Sequence, residues 1–233
     1  MAETVEFRSN GKNASGYLVT PSAGSGPGVL VIQEWWGLDS GIKEMADRLG
    51  AAGFVALAPD LYHGALAGHD EMDKAAQLMK SMPPDRAGRD MSGAVDYLAG
   101  HPAVTSDGIG VVGFCMGGML SFLIAANSPD AVKAVVPFYG FPQGEMEPDW
   151  SKVTASIRGH MAEHDDFFPP AAARALEAKL RGLGKNATLT VHPGTGHAFM
   201  APHNALGTLN AKLAAEIWPE VVSFLRRTLH PRA

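Results

Sequence analysis

This sequence of 233 residues is poor in cysteine and in charge. A single cysteine, Cys115, leaves no partner for a disulfide within the chain. Charged residues make up 18% of the sequence, the net charge is -5 at pH 7, and no stripe of basic residues is present. This composition disfavours a nucleic acid as partner, and the net charge gives no general attraction for acidic substrates.

Targeting and membrane signals are also lacking. The first residues show no basic segment followed by an apolar one, so we expect no secretory signal and a cytoplasmic protein. The uncharged run from residue 108 to 129 is long enough to suggest a membrane span, but its glycines divide it into a strand and a helix. We therefore expect no membrane partner, and a single domain over residues 1–233.

Apolar runs typical of buried strands alternate with amphipathic segments typical of helices. Strands are predicted at residues 29–32, 54–58, 109–114, 132–138, 155–161 and 188–192, after an N-terminal antiparallel pair at 5–7 and 16–19 with a turn at Asn10 and Gly11. Helices are predicted from Ser40 as N-cap to Gly53, at 70–80, 84–99 and 170–183, after Cys115, and at 205–229 with a kink or restart at Pro219. This alternation predicts an α/β fold, a mostly parallel sheet with helices on both faces.

A nucleophile motif follows the middle strand, in the sequence Gly113-Phe114-Cys115-Met116-Gly117. The Gly-x-Cys-x-Gly spacing between a strand and a helix is typical of a nucleophile elbow, in which the central side chain projects from a tight turn. The helix N-terminus beside it is expected to favour the thiolate. The alternative is that Cys115 is a small buried hydrophobic residue, as most isolated cysteines are.

An acid and a histidine follow the cysteine in the chain order of the α/β-hydrolases. Asp165 and Asp166 come after one predicted strand and His197 after the last, and residues that follow parallel strands gather at one edge of the sheet. We expect His197 to be the base. Either aspartate is a candidate for the acid, and because adjacent residues point in different directions, only one of them can take this role.

Other histidines offer alternatives. His192 and His203 lie near His197, but His192 is expected within a strand, directly before a proline. The segment His160-Met161-Ala162-Glu163-His164 has the His-x-x-Glu-His spacing of some zinc peptidases, which binds zinc only on a helix. Because this segment is predicted as strand, we expect no metal, and the sequence indicates no other cofactor.

Five segments together resemble the dienelactone hydrolase family, a cysteine-dependent branch of the α/β-hydrolases. They are Gln33-Glu34-Trp35-Trp36-Gly37, Pro59-Asp60-Leu61-Tyr62, residues 113–118, residues 165–169 and Gly196-His197-Ala198-Phe199, and they span nearly the whole chain. The resemblance implies a triad of Cys115, His197 and Asp165. It also implies an oxyanion hole from the backbone N–H groups of Trp35 and Met116. Glu34 is implied to contact the resting cysteine and to help take its proton; its residue type alone indicates only a carboxylate at a strand end.

The sequence departs from this family where the substrate is held. In the family two arginines bind a substrate carboxylate, and the corresponding positions here are Gly64 and Ala201. Neither residue can form a bidentate contact with a carboxylate. His63 and His203 lie close by in the sequence and are expected to provide weaker, pH-dependent anchoring.

The remaining predicted site is an apolar pocket. Its candidate lining residues are Trp36, Tyr62, His63, Phe141, Phe167, Phe199 and His203. A thiolate leaves a tetrahedral intermediate more easily than an alkoxide does, which favours enol lactones, aryl esters and thioesters. The sequence thus predicts a hydrolase of small-molecule esters or lactones that forms a thioacyl-enzyme, as a monomer or small homo-oligomer. A binding protein without turnover, and a thioesterase or an enzyme that transfers the acyl group to an acceptor other than water, are the alternatives.

Overall fold

The computed structural model describes residues 1–9 and 11–232. The strands within them are β1 (Ala2–Ser9), β2 (Lys12–Val19), β3 (Gly26–Ile32), β4 (Val55–Pro59), β5 (Val104–Phe114), β6 (Val132–Phe138), β7 (Ser156–His164) and β8 (Ala187–Gly196). The helices are α1 (Ser40–Ala51), α2 (Met72–Ser81), α3 (Pro84–Gly100), α4 (Met116–Asn127), α5 (Pro170–Gly182) and α6 (Ala211–Thr228). Asn10, part of the predicted first turn, lies outside the described residues.

All of these strands belong to one sheet, in the order β1-β2-β4-β3-β5-β6-β7-β8. β2 is antiparallel to its neighbours β1 and β4, whereas every pair from β4 across to β8 is parallel. The chain crosses from one side of β3 to the other between β4 and β5, and such a change of direction leaves a crevice at the carboxyl ends of the strands. The predicted mostly parallel sheet is confirmed.

Helices cover both faces of the sheet. On one face α1 and α6 bury Leu49 and Val221. On the other face α3, α4 and α5 bury Leu98, Phe122 and Leu180. The central strands β3, β4 and β6 consist almost entirely of buried residues, as expected for strands covered on both sides. The strands are therefore supported by a hydrophobic core on each face of the sheet.

Two helix starts differ from the prediction. Asp39, not Ser40, caps α1, since its carboxylate accepts the N–H of Ile42 at 2.9 Å. The last helix begins only at Ala211, where the Asn210 side chain caps it, because the preceding residues form turns. It then continues through Pro219 without a restart, as far as Thr228. Both aspartate and asparagine are favoured N-cap residues, so the sequence allowed several starts within a few positions.

The C-terminal strands extend beyond their predicted ends. β7 continues to His164 and β8 to Gly196, so Pro193 lies inside a strand. A proline is tolerated here because β8 is the last strand of the sheet and one of its edges forms no ladder. The predicted run of 109–114 is the end of a longer strand that begins at Val104.

Among the described residues, no helix combines the length and the apolarity that crossing a bilayer requires.

Candidate active site

The turn between β5 and α4 places Cys115 above the sheet. Its backbone adopts φ 53° and ψ -116°, a conformation that costs a non-glycine residue about 1–3 kcal/mol. The turn closes so tightly that a Cβ on Gly113 would lie 2.0 Å from the carbonyl oxygen of Gly117. One on Gly117 would lie 2.3 Å from the carbonyl oxygen of Ile32. The elbow glycines are therefore required by close backbone approach, and Cys115 is held half-buried directly before the first residue of α4.

The neighbouring strand ends β7 and β8 bring together an aspartate and a histidine. His164 of β7 pairs with Gly196 of β8, so the next residue on each strand, Asp165 and His197, follows side by side. Asp165 Oδ2 and His197 Nδ1 are 2.8 Å apart, and both residues are buried. Because an ionised carboxylate only accepts, Nδ1 carries the imidazole proton and Nε2 is left as the basic nitrogen.

Asp165 is fixed on its other side by the backbone. Its Oδ1 accepts the N–H groups of Phe167 and Phe168, each at 2.9 Å. The Phe168 ring also stacks on the His197 imidazole, with 5.8 Å between centroids and 17° between planes. Asp166, the alternative acid, is exposed and has no place in this arrangement. His197 thus contacts Asp165 and not Asp166, and the role of Asp165 as the acid stays a prediction.

The rival histidines have other partners. His192 Nε2 lies 3.0 Å from His160 Nδ1, and the two rings stack beneath the site between β7 and β8. Burial, with a smaller contribution from His192, lowers the pKa of His160 to about 3. The His-x-x-Glu-His segment lies within β7, so it is a strand, as predicted. Its last residue, His164, is exposed at the end of that strand. Within residues 1–9 and 11–232, no three His, Cys, Asp or Glu side chains are grouped as a metal site.

The thiol of Cys115 is held in its neutral form at rest. Burial is the largest cause of its raised pKa, followed by the negative charge of Glu34 and, more weakly, of Asp165. The backbone N–H groups of Met116 and Trp35 act in the opposite direction through hydrogen bonds to the sulfur. The N–H donor at the helix N-terminus thus favours the thiolate, as expected, but desolvation and Glu34 outweigh it and the net pKa of the thiol is raised. The position of these two donors beside the sulfur is nonetheless that of an oxyanion hole.

Glu34, which follows β3, is bound to a histidine from a distant loop. Its Oε2 lies 2.8 Å from His203 Nε2, and both side chains are buried. His203 Nδ1 accepts the N–H of Ala205 at 3.1 Å, so Nε2 carries the proton and donates to Glu34. Burial lowers the pKa of His203, but the charges of Glu34 and Asp39 outweigh it and the net pKa is raised.

A second acid and histidine continue this chain of contacts. His69 Nε2 lies 2.7 Å from Asp39 Oδ2, and the His69 ring stacks on His203 with 4.1 Å between centroids. Glu34 Oε1 is buried and, among the described residues, has no hydrogen-bond partner. Since Glu34 raises the pKa of both Cys115 and Tyr139, its carboxylate lies close to both groups. Its hydrogen bond, however, goes to His203, whereas the resemblance implied a contact with Cys115.

A cavity of about 830 Å³ opens above these groups. Its lining includes Glu34, Trp35, Cys115, Met116 and His197, so the proposed nucleophile, base and oxyanion donors share one space. Four of the predicted pocket residues also line it: Trp36, Phe141, Phe167 and His203. This cavity is the candidate active site.

Three predicted pocket residues do not line the cavity. Tyr62 is buried behind the elbow and its hydroxyl donates to Met116 Sδ at 3.6 Å. His63 pairs with Asp90 at 2.7 Å, away from the cavity. Phe199 is fully buried against Tyr139, with ring centroids 5.4 Å apart. Each follows a strand end or His197 in sequence, but Tyr62 and Phe199 are directed into the core, and His63 is exposed and directed to Asp90 on α3.

The carboxylate-binding positions are absent from the lining as well. Gly64 and Ala201 are not among the cavity residues, and no arginine is among them either in the described part of the chain. The structure adds instead a feature that residue motifs did not indicate, a set of methionines. Of the eleven methionines in the sequence, six line the cavity: Met79, Met82, Met91, Met116, Met119 and Met146. Three of the six, Met79, Met82 and Met91, lie in or beside the predicted helices 70–80 and 84–99, which was the one sign of a common surface in the sequence.

The sheet order, the strand-to-helix elbow and the sequence order of cysteine, aspartate and histidine define an α/β-hydrolase. The sequence profile of the "Dienelactone hydrolase family" matches residues 14–229, and the chain belongs to that family. It is a hydrolase of the type that acts on esters and lactones. "Protein usf" of Aquifex pyrophilus is 37% identical over 98% of this chain and 100% of its own length. A "Putative carboxymethylenebutenolidase" of Aquifex aeolicus is 34% identical over the same shares.

Solved structures agree with this assignment. A "Putative Dienelactone Hydrolase" from Klebsiella pneumoniae superposes with a TM-score of 0.84 at 26% sequence identity, covering 97% of this chain and 99% of that protein. The relatives are therefore similar along their whole lengths, and not only around the elbow.

Proposed function

We propose that the protein hydrolyses activated carboxylic esters and enol lactones through a covalent thioacyl intermediate on Cys115. The observation that carries the proposal is the shared cavity of Cys115, the His197–Asp165 pair and the two backbone N–H donors. A nucleophile, an oriented base and an oxyanion hole are the groups that acyl transfer needs.

Acylation begins with a neutral thiol. On substrate binding, the Cys115 proton passes to the Glu34 carboxylate, which removes the negative charge that raises the thiol pKa. The thiolate sulfur then forms a bond with the carbonyl carbon. The oxyanion accepts hydrogen bonds from the N–H groups of Trp35 and Met116, and the carbon–oxygen bond to the leaving group breaks. The leaving oxygen takes the proton from Glu34, which returns to its ionised form.

Deacylation uses the imidazole. His197 Nε2 takes a proton from water, and the resulting hydroxide attacks the thioester carbon. The second tetrahedral intermediate breaks the carbon–sulfur bond, and the departing thiolate receives the proton from His197. Asp165 stabilises the transient imidazolium through the 2.8 Å contact at Nδ1. The net reaction consumes one water and releases the carboxylic acid and the alcohol or enol.

The test is a comparison of the native protein with Cys115→Ala and Cys115→Ser on an aryl ester and an enol lactone. We expect the native protein to turn over both and to gain the mass of one acyl group when quenched during turnover. Cys115→Ala is expected to lose at least about a thousandfold in kcat/KM and to gain no mass. Because the chain has no other cysteine, the modified residue is unambiguous.

Three outcomes contradict the proposal. Turnover that survives in Cys115→Ala would exclude the nucleophile. An acyl group that forms on the native protein but is never released would indicate a binding protein without turnover. Product formed with an added alcohol or thiol, at the expense of the free acid, would indicate an acyl transferase.

A further inference from the structure

The cavity is much longer than a small lactone. It follows one stripe of α4, formed by Met116, Met119, Leu120, Leu123 and Asn127, from the residue after the nucleophile to the last residue of the helix. At 1.5 Å per residue this stripe extends about 16 Å from the reaction centre. The helix therefore forms an apolar floor with the nucleophile at one end.

The opposite wall comes from α2, α3 and the turn between them. Ala87, Gly88 and Met91 of α3 lie at helical spacing and face the same cavity, with Met79 and Met82 above them. Methionine side chains are unbranched and flexible, so a wall rich in them adapts to chains of different length and shape. A volume of about 830 Å³ is near the upper end for small-molecule sites.

Charge is confined to the two ends of this cavity. Glu34, His197 and His203 lie at the reaction centre, and the Glu34 carboxylate is already hydrogen-bonded to His203 at 2.8 Å. Lys80, on an exposed turn of α2, is the remaining charged lining residue of the described chain. In the described chain the rest of the lining is uncharged: Asn127 and Gln143 are its neutral polar side chains, and no arginine is present to bind a substrate carboxylate.

We propose that the preferred substrates are neutral esters or thioesters that carry an extended apolar chain of about eight to twelve carbons lying along α4. An extended hydrocarbon chain advances about 1.3 Å per carbon, so eight to twelve carbons reach about 9–14 Å along this stripe. The proposal rests on the hydrolase mechanism proposed above and concerns its substrate class.

The first experiment measures kcat/KM for p-nitrophenyl esters from acetate to dodecanoate, below their critical micelle concentrations. A parallel series of S-alkyl thioacetates places the chain on the leaving group. We expect kcat/KM to rise roughly threefold per methylene through the middle of at least one series, as apolar burial predicts. A flat or falling profile in both series would overturn the proposal.

A blocking variant makes the test specific to this cavity. Gly88 lines it, and a Cβ there would meet nothing within 4 Å, so Gly88→Phe adds a ring to the channel without a clash at Cβ. We expect the ratio of decanoate to acetate activity to fall at least tenfold. Gly100→Phe, in the last turn of the same helix and equally free of neighbours, is the control and is expected to leave the ratio unchanged. An unchanged ratio in Gly88→Phe would contradict the proposed path.

The two proposals fail in different ways. Hydrolysis of acetate that depends on Cys115 but shows no gain with length would leave the mechanism standing and reject the substrate class. If no ester is hydrolysed, binding of 2-dodecanone and 2-butanone is measured through the fluorescence of Trp35 and Trp36, which line the cavity. Tighter binding of dodecanone, lost in Gly88→Phe, would support the apolar channel without the reaction. Equal binding would reject it.

Discussion

The two ends of the active-site cavity are built in different ways. At the reaction centre, residues from four strand ends are held by backbone geometry and by hydrogen bonds, such as the two N–H donors to Asp165. Along α2 and α3 the wall consists of apolar side chains, many of them flexible methionines. The contrast indicates that the chemistry depends on exact placement of a few groups, whereas substrate range depends on the shape of an adaptable surface.

The largest effect on activity is expected from Asp165→Asn, because Asp165 is fixed by two backbone N–H groups and by His197. The amide that replaces the carboxylate carries no negative charge, so the imidazolium of His197 is no longer stabilised. The NH₂ group of the amide can also donate to Nδ1, which the carboxylate cannot do. We expect kcat/KM to fall by about a hundredfold to ten-thousandfold. Asp166→Asn, the exposed neighbour, is expected to remain within about twofold of the native protein. A similar loss in both variants would remove the assignment of Asp165.

Glu34→Gln separates the charge of this residue from its volume. Removing the negative charge takes away one cause of the raised thiol pKa, so alkylation of Cys115 by iodoacetamide at pH 8 is expected to become faster. At the same time kcat/KM is expected to fall about tenfold to a hundredfold, because the proton acceptor is lost.

The control for this change is Glu216→Gln, an exposed carboxylate on α6. It changes the net charge equally and is expected to alter neither rate. Faster alkylation of Glu34→Gln together with unchanged turnover would show that Glu34 tunes the thiol but does not take its proton.

His160 provides a buried polar group that touches neither end of the cavity. Its pKa is lowered from 6.5 to about 3 by burial, so the unfolded chain binds a proton at this residue below pH 6.5 while the folded chain does not. Its stabilising contribution is therefore complete above pH 6.5 and decreases as the pH falls towards 3. Between pH 8 and pH 5 we expect a loss of about 2 kcal/mol in the free energy of unfolding from this group.

Urea unfolding at pH 8 and pH 5 measures this loss. His160→Phe cannot titrate and keeps a ring to stack on Phe138, so its pH dependence over this range is expected to be smaller by that amount. His164→Gln, the exposed histidine at the end of the same strand, is the control. Equal pH dependence in all three proteins would contradict the assignment.

The smallest effect is expected at the rim of the adaptable wall. Met79 and Met72 both lie on α2 with similar exposure, 41% and 42%, but only Met79 lines the cavity. Met79→Ser is expected to lower the ratio of decanoate to acetate activity about twofold, and Met72→Ser to leave it unchanged, with stability in both within about 0.5 kcal/mol. An equal effect of the two changes would show that the wall does not discriminate chain length.

The sequence predicted the mostly parallel sheet correctly, but only four of the seven predicted pocket residues line the cavity. Cys115 and His197 were recognisable because a nucleophile elbow and a glycine-flanked loop are local patterns read along the chain. Tyr62, His63 and Phe199 were placed in the pocket because they follow strand ends or the histidine, yet in each case the direction of the backbone at one residue turns the side chain elsewhere. Proximity in sequence to a strand end gives the edge of the sheet but not the direction of a side chain.

The amino-acid sequence by itself determined the alternating strands and helices, the elbow and the order of cysteine, acid and histidine, since these follow from local periodicity and short-range steric requirements. Only the tertiary structure decided that Asp165 and not Asp166 meets His197, that His203 binds Glu34, and that methionines from separate helices form one channel. Those contacts join residues far apart in the chain, or depend on the register between β7 and β8. The neutral thiol of Cys115 was decided in the same way, because desolvation and the charge of Glu34 exist only once the core has closed around it.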